Sequence, residues 1–260
     1  MNKVAIIAAM HGNEVYGVKL YELFTKRYPG LANSVKLIIG NKAAHNKNVR
    51  YIDADMNRQY GATKQSHEQN EITRVDSELN EFKPDYIIDI HTTKRNSGIF
   101  FISDTPNTAR RRIYDMLDMD VCIMQDSVIK RSFIGTYPNA VSLEYSLRSI
   151  TKDTTEKFIN ALSKLVEDDS VKTHNERQYV ATKLITKSEY HKYEGLKNHD
   201  NKPEGLALMV PADISEMDAE YYGFWCAKAW AFYCHAQDGS KLLEVILNNL
   251  TPIDSAERCS

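Results

Sequence analysis

Two short apolar runs constrain this chain most: Val4-Ala5-Ile6-Ile7-Ala8-Ala9 and Asp85-Tyr86-Ile87-Ile88-Asp89-Ile90. Bounded by polar residues, both read as strands of a sheet covered on both faces. The first leads into His11-Gly12-Asn13-Glu14 and the second ends on His91. In open α/β sheets the functional crevice lies beyond the carboxyl ends of the strands. Two imidazoles and a carboxylate converging there, with one coordination position open, make a catalytic zinc site of the His₂Glu kind. Zinc held in that way lowers the pKa of bound water to roughly 7.

The spacing alone is weak. With 8 histidines in 260 residues, a bare His-x-x-Glu arises readily by chance, and a second one, His191-Lys192-Tyr193-Glu194, stands in a polar, lysine-rich stretch. Context separates the two: strand, turn glycine, ligands and then a helix surround the first. The plainer alternative is a histidine at a βα turn, with Glu14 favourably placed at a helix N-terminus.

Gross composition narrows the class. The length suits one large domain, or a large and a small one. At 26% charged and 42% hydrophobic residues the chain is ordinary for a globular protein. A net charge of −2 argues against a general nucleic-acid binder. No apolar run approaches the roughly 18 residues of a membrane helix. The N-terminal run lacks a small-residue cleavage site and is expected to be a strand, not a signal peptide. Cys122, Cys226, Cys234 and Cys259 form no CxxC pair. Reduced thiols and a cytoplasmic location are expected.

Along the chain, Tyr16, Leu20, Leu23 and Phe24 recur at helical spacing until Pro29-Gly30, and Val35 to Ile39 is the next strand. The polar stretch Asn41 to Gln65 has neither period and is long for a connection, as functional loops often are. Ser66-His67-Glu68-Gln69 predicts a capping box for a helix carrying Ile72, Val75, Leu79 and Phe82. Gly98 to Ser103 reads as a strand, and Thr105-Pro106 as a helix start. On that helix Arg110-Arg111-Arg112 is taken as a solvated face. Val121 to Met124 and Ala140 to Tyr145 are short strands, and Thr151 to Glu167 is an amphipathic helix. Asp168-Asp169-Ser170 marks a boundary. Beyond it come a half-exposed strand over Tyr179 to Ile185 and another over Leu206 to Val210. Ser215-Glu216-Met217-Asp218 then caps an aromatic-rich helix through Trp225, Trp230 and Phe232.

The long loop carries Asn48-Val49-Arg50-Tyr51-Ile52-Asp53-Ala54-Asp55-Met56-Asn57-Arg58. Asp53, Asp55 and Asn57 imitate the start of a calcium loop, but Arg58 stands where glycine is required and Lys64 where glutamate is. Calcium is therefore excluded. Guanidinium forks beside a zinc site suit carboxylate recognition, with Asn adding a donor. Arg131 precedes the strand that bears Glu144 near its end, a place suited to a general base.

Taken in order, His11-Gly-Asn-Glu14, Arg50-Tyr-x-Asp53-x-Asp55-Met-Asn57-Arg58, Asp89-Ile-His91-x-Thr93 and Glu144 resemble the aspartoacylase and succinylglutamate desuccinylase family, relatives of the zinc carboxypeptidases. The resemblance covers residues 4 to about 150. It implies one zinc per chain on His11, Glu14 and His91, Glu144 as general acid/base and Arg50 on the oxyanion. Asn57 and Arg58 would hold the substrate's carboxylate. Asp89-Ile-His91-x-Thr93-x-x-Asn96-x-Gly98 is similar to the aspartoacylase branch, and Arg131 would then meet the substrate's side-chain carboxylate. The interval from Arg131 to Glu144 is longer than in that branch. Glu220-Tyr221-Tyr222 is similar to the family's tyrosine pair, with Tyr221 reaching into the site.

The implied fold is α/β: a mixed, mostly parallel sheet flanked by helices, zinc carboxypeptidase-like, with a smaller C-terminal β-containing domain. Residues 1–169 would form the catalytic domain and 170–260 a shorter domain roofing the site. The expected reaction is zinc-dependent hydrolysis of the amide of an N-acyl acidic amino acid, N-acetylaspartate first. A desuccinylase or other N-acyl hydrolase, then a carboxypeptidase or a non-enzymatic zinc-fold binding protein, are the alternatives. The expected partner is that small acidic substrate, with neither nucleic acid nor membrane; homo-oligomerisation stays open.

Overall fold

The computed structural model describes residues 1–93, 98–117, 119–124, 129, 131–168, 177–186, 201–202, 205–208 and 221–228. The elements are β1 (Val4–Ala8), α1 (Tyr16–Arg27), β2 (Val35–Ile39), α2 (Lys42–Lys47), α3 (His67–Phe82), β3 (Tyr86–Thr93) and β4 (Ile99–Ser103). There follow α4 (Thr108–Met116), β5 (Asp120–Ile123), α5 (Phe133–Thr136), β6 (Ala140–Ser146) and α6 (Lys152–Glu167). The last strands are β7 (Gln178–Thr186), β8 (Asn201–Lys202), β9 (Gly205–Leu208) and β10 (Tyr221–Lys228).

These strands make one sheet in the order β2-β1-β3-β6-β4-β5-β7-β10-β9-β8. β1 pairs in parallel with β2 on one side and β3 on the other, and β3 pairs in parallel with β6. β4 runs antiparallel to β6, while β4, β5 and β7 are mutually parallel neighbours. β10, β9 and β8 extend the edge in antiparallel fashion. The sheet is thus mixed and mostly parallel, flanked by helices. The chain leaves β1 for β2 and returns on the opposite side as β3, so the order reverses there and a crevice opens beyond the strand ends.

All five residues of β1 are buried, as an unalternating apolar run requires when both faces are covered. One face packs Ile6, Ile88, Ile90, Val141 and Leu143 against Leu20 and Phe24 of α1 and Phe158 and Leu162 of α6. The other packs Ile7, Ile87 and Phe100 against Ile72, Val75 and Leu79 of α3 and Phe133 of α5. Each such side chain stabilises the fold by about 1.5–3 kcal/mol when fully buried. Gly17 lets α1 lie close on the sheet, because a Cβ there would stand 2.8 Å from Ala8 Cβ and 3.0 Å from Ile90 Cβ. That close packing holds the start of α1, and Glu14 just before it, over the ends of β1 and β3.

Several details depart from the sequence reading. The stretch Asn41 to Gln65 contains α2 and a helical turn, Met56–Arg58, because Asn41 caps α2 through Ala44 N–H and Asp55 caps the turn through Asn57 N–H. The capping box at Ser66 is half made. Ser66 Oγ accepts from Gln69 N–H at 3.2 Å, but the Gln69 amide donates to Gln59 O instead. α4 begins at Thr108 under an Asn107 cap, two residues beyond Pro106. Arg110 does not belong to a solvated face. It is 3% exposed, and its guanidinium donates to the carbonyls of Ala140, Thr105, Ile134 and Tyr137. Gln178, Tyr179 and Val180 of β7 are buried in succession, so that strand is covered on both faces at its start.

The aromatic segment around Trp225 is strand β10, not a helix. Tyr, Phe and Trp in close succession favour the pleated state, and pairing with β7 and β9 supplies the partners. The β9 strand ends at Leu208, and Trp230 and Phe232 lie outside the described residues. Among the described residues no helix is long and apolar enough to cross a membrane.

Candidate metal and catalytic site

The site begins where β1 stops. Ala9 takes φ 53°, a left-handed conformation that costs an L-residue about 1–2 kcal/mol, and the chain turns out of the sheet there. Glu14 N–H donates to His11 O at 2.9 Å, closing a turn that faces the two side chains toward each other. Glycine is obligatory between them. A Cβ on Gly12 would stand 2.2 Å from Ala44 C and 2.3 Å from His45 N, both backbone atoms of α2. Gly12→Ala should therefore displace the ligand turn and cost at least about 1–3 kcal/mol, the usual range for overpacking. A denaturation midpoint and metal affinity equal to wild type would refute that expectation.

β3 extends through Thr93, so His91 sits inside the strand on the same face as Asp89. Glu14 bridges the two histidines: Oε1 is 2.8 Å from His11 Nδ1 and Oε2 is 3.0 Å from His91 Nδ1. Thr92 N–H also donates to Glu14 Oε2 at 3.0 Å. One ligand atom from each of His11, Glu14 and His91 lies within 4.8 Å of the others, and all three residues are buried. The imidazole rings stand 4.9 Å apart.

The far nitrogen of each ring meets a second carboxylate. His91 Nε2 lies 2.8 Å from Asp89 Oδ2, and His11 Nε2 lies 3.2 Å from Asp55 Oδ1. Each ring nitrogen faces a carboxylate, which requires a donor, so both rings are held protonated; a metal would take the place of the proton on Nδ1 while Asp89 and Asp55 keep the one on Nε2. Asn57 Nδ2 also comes within 3.3 Å of His91 Nε2. Its carbonyl oxygen accepts from Phe133 N–H at 3.1 Å, which fixes the amide's orientation and makes this approach a contact between two donors. With Nδ1 deprotonated on binding, two imidazoles, one carboxylate and an outer carboxylate on each ring would form a donor set suited to zinc. Asp89 and Asp55 received no role from the sequence. A charged residue inside Ile-Ile-Asp-Ile was the available signal for Asp89.

Electrostatics follow the same geometry. Burial alone would raise the Glu14 pKa, but hydrogen bonds and charge from His11 and His91 hold it well below the carboxylate range. Burial opposes the charged form of His91, yet Asp89 and Glu14 outweigh it and push the imidazole well up. His11 is likewise raised, against burial, by Asp55 and Glu14.

Glu144 is in parallel register with His91, and cross-strand partners in a sheet present side chains to the same face. It is half-buried at the crevice. Burial pushes its carboxyl up, the positive His91 opposes that, and negative Glu14 adds to it. Arg50 reaches Glu14 Oε1 with Nη1 and Asp55 Oδ2 with Nη2, both at 3.3 Å, and stays half-exposed. Arg58 is exposed beside Asn57, donating to the Asn57 carbonyl at 3.0 Å. Arg131 is exposed just before α5, and its carbonyl accepts from Tyr60 N–H at 3.2 Å, which ties that segment to the Asn57 turn. Tyr221 begins β10 opposite Thr186, and its side chain lies outside the described residues, as do His191 and Glu194.

A mixed, mostly parallel α/β sheet with a buried His-Glu-His cluster at its switch point defines an α/β protein with a donor set that could hold a metal ion. Residues 1–156 match the succinylglutamate desuccinylase/aspartoacylase catalytic domain, more than half of the chain. The chain belongs to the succinylglutamate desuccinylase/aspartoacylase family. It is 35% identical over 111 residues to a probable aspartoacylase of Prochlorococcus marinus, covering 38% of this chain and 36% of that protein. It is 32% identical over 117 residues to an aspartoacylase of Xenopus tropicalis, covering 39% of this chain and 37% of that protein. These matches span little more than a third of the curated relatives' length. In fold it is similar to a crystal structure of a mutant murine aminoacylase 3, with a TM-score of 0.61 and 15% identity over 87% of this chain and 94% of that one. A succinylglutamate desuccinylase from Vibrio parahaemolyticus has a TM-score of 0.61 at 11% identity, over 88% of this chain and 82% of that one.

Proposed function

We propose that the chain hydrolyses the amide bond of N-acyl acidic amino acids, N-acetylaspartate foremost, with one zinc held by His11, Glu14 and His91. The observation that carries this reading is the buried Glu14 bridge between two Nδ1 atoms, with Glu144 in register beside His91. Zinc, when bound, supplies Lewis acidity for the acyl carbonyl and makes water acidic enough to ionise near neutral pH. Asp89 and Asp55 hold a proton on Nε2 of each imidazole and so fix the tautomer that binds. Glu144 takes the proton of the attacking water and returns it to the leaving amine nitrogen. A carboxyl whose pKa is raised by burial keeps that proton more readily between the two steps.

Arg50 stands over Glu14, where its guanidinium can turn from Asp55 to the developing oxyanion. Asn57 and Arg58 receive the α-carboxylate and Arg131 the side-chain carboxylate, and by the family resemblance Tyr221 reaches into the site. Arg58→Lys keeps the charge but removes the fork, so kcat/KM for acidic substrates should fall. Loss of a carboxylate partner costs about 2–5 kcal/mol, and the exposure of Arg58 sets the expectation at about 2, roughly 30-fold. The test compares N-acetylaspartate, N-succinylglutamate and N-acetylleucine on wild type and Arg58→Lys. Preference of the wild type for the leucine compound rules out the carboxylate clamp. Preference for the succinyl compound keeps the reaction and changes the substrate.

A further inference from the structure

We infer that Glu68 is a positioning residue: its buried carboxylate suspends the arginine-bearing loop over the metal ligands. Glu68 is fully buried in the first turn of α3. Its Oε1 accepts from Ile52 N–H at 2.8 Å, Asp53 N–H at 3.3 Å and the Asn41 side-chain amide at 3.1 Å. Its Oε2 accepts from Asp53 N–H at 3.2 Å and Ala54 N–H at 3.3 Å. Three successive backbone amides thus form an anion-binding concavity, and the protein fills it with its own carboxylate. Among the described residues, neutral N–H donors and not a cation satisfy this charge.

The consequence lies on either side of the three amides. Arg50, which reaches Glu14, stands two residues before Ile52, while Asp55, which holds His11 Nε2, directly follows Ala54. Asn57 lies against His91 two residues further on. An ionised carboxylate left without donors in the interior is strongly disfavoured, so the loop stays where its amides reach Glu68. Asn41 carries the same anchor to the other side, because its carbonyl oxygen caps α2, on which Gly12 is packed. Glu68 also shares the stripe Ile72, Val75 and Leu79, whose packing holds α3 to the sheet. One side chain on a rigid helix therefore sets the loop's distance from both histidines.

The catalytic consequence rests on the proposed N-acyl hydrolysis; the placement of the loop does not. Glu68→Gln keeps the shape but removes the charge and turns an N–H₂ group toward backbone donors. In the full-length variant, exchange of the Ile52, Asp53 and Ala54 amides should quicken by roughly ten-fold or more, with β1 and β3 amides unchanged. With zinc supplied in excess the site should still fill to the wild-type level, since no ligand lies on the loop, although affinity falls by up to the roughly 10–100-fold that loss of the Asp55 support brings, and kcat/KM falls by about 10–100-fold. A merely structural role would quicken exchange throughout the sheet and leave the site unfilled even in excess zinc, and that result overturns the inference. So does a variant that retains wild-type loop protection. If Glu68→Gln fails to fold, the wild type decides: slow exchange at the three amides supports the anchor, and exchange at open-chain rates overturns it. If wild type hydrolyses no N-acyl amino acid, the proposed reaction falls, and the exchange comparison alone still judges Glu68.

Discussion

Glu144→Gln is expected to retain zinc and fold while losing about 10²–10⁴-fold in kcat, the usual worth of a positioned proton-transfer group. Glutamine has the same shape and still lies in register with His91, so substrate placement should change little. It has no proton affinity to offer the attacking water. Burial, with the Glu14 charge adding to it against His91, raises the Glu144 carboxyl above its ordinary value of 4.5. The free enzyme needs this group ionised, so activity should rise with pH through that raised pKa. The same ascending limb should vanish from the variant's profile. Near-normal turnover in Glu144→Gln, with the limb intact, would show that Glu144 is structural and that the base lies elsewhere.

His91→Ala is expected to abolish stoichiometric zinc and, with it, hydrolysis. The loss goes beyond one ligand. Asp89 is fully buried and, among the described residues, has only Oδ2 hydrogen-bonded, to His91 and more distantly to Ser142. Removing the imidazole strands that carboxylate and half of the Glu14 bridge in the interior. Breaking a buried pair in this way costs about 3–5 kcal/mol, so the variant should also unfold earlier than wild type stripped of metal. Asp89→Asn should keep the ligand and weaken metal affinity by about 10–100-fold through lost orientation of the ring. Zinc analysis of the purified variants checks both, with His191→Ala as the comparison expected to keep full zinc. Full occupancy in His91→Ala, or its loss in His191→Ala, would place the metal elsewhere than on His11, Glu14 and His91.

What the sequence made legible was what local pattern encodes. β1 and β3 could be recognised because burial on both faces leaves a run of apolar residues, unbroken in β1 and interrupted by Asp89 in β3, and His11, Glu14 and His91 were picked out from where those runs stop. Glu144 was picked out because it stands near the end of a third strand, and the structure sets it in register with His91. The features that escaped depend on partners far away in the chain. Arg110 looks like one charge in a basic triplet until the carbonyls of Ile134, Tyr137 and Ala140 are folded around it. Glu68 passed as part of a helix cap, although it stands four residues before Ile72 on the helix's buried stripe. A carboxylate in such a position needs donors, and those come from a loop that no periodicity predicts. Around Trp225, a serine-led polar tetrad reads as a helix start, whereas in Tyr221–Lys228 the β-preference of the aromatic residues prevailed once β7 and β9 offered edges to pair with.

The most direct test of the account is kcat/KM for N-acetylaspartate, measured on the full-length protein as purified, after chelation, and after titration with zinc. The account predicts amide hydrolysis that disappears on chelation and returns in full at one zinc per chain, with acidic N-acyl substrates preferred over N-acetylleucine. Undiminished hydrolysis by the chelated protein, or no hydrolysis of any N-acyl amino acid by the protein carrying one zinc, would contradict it.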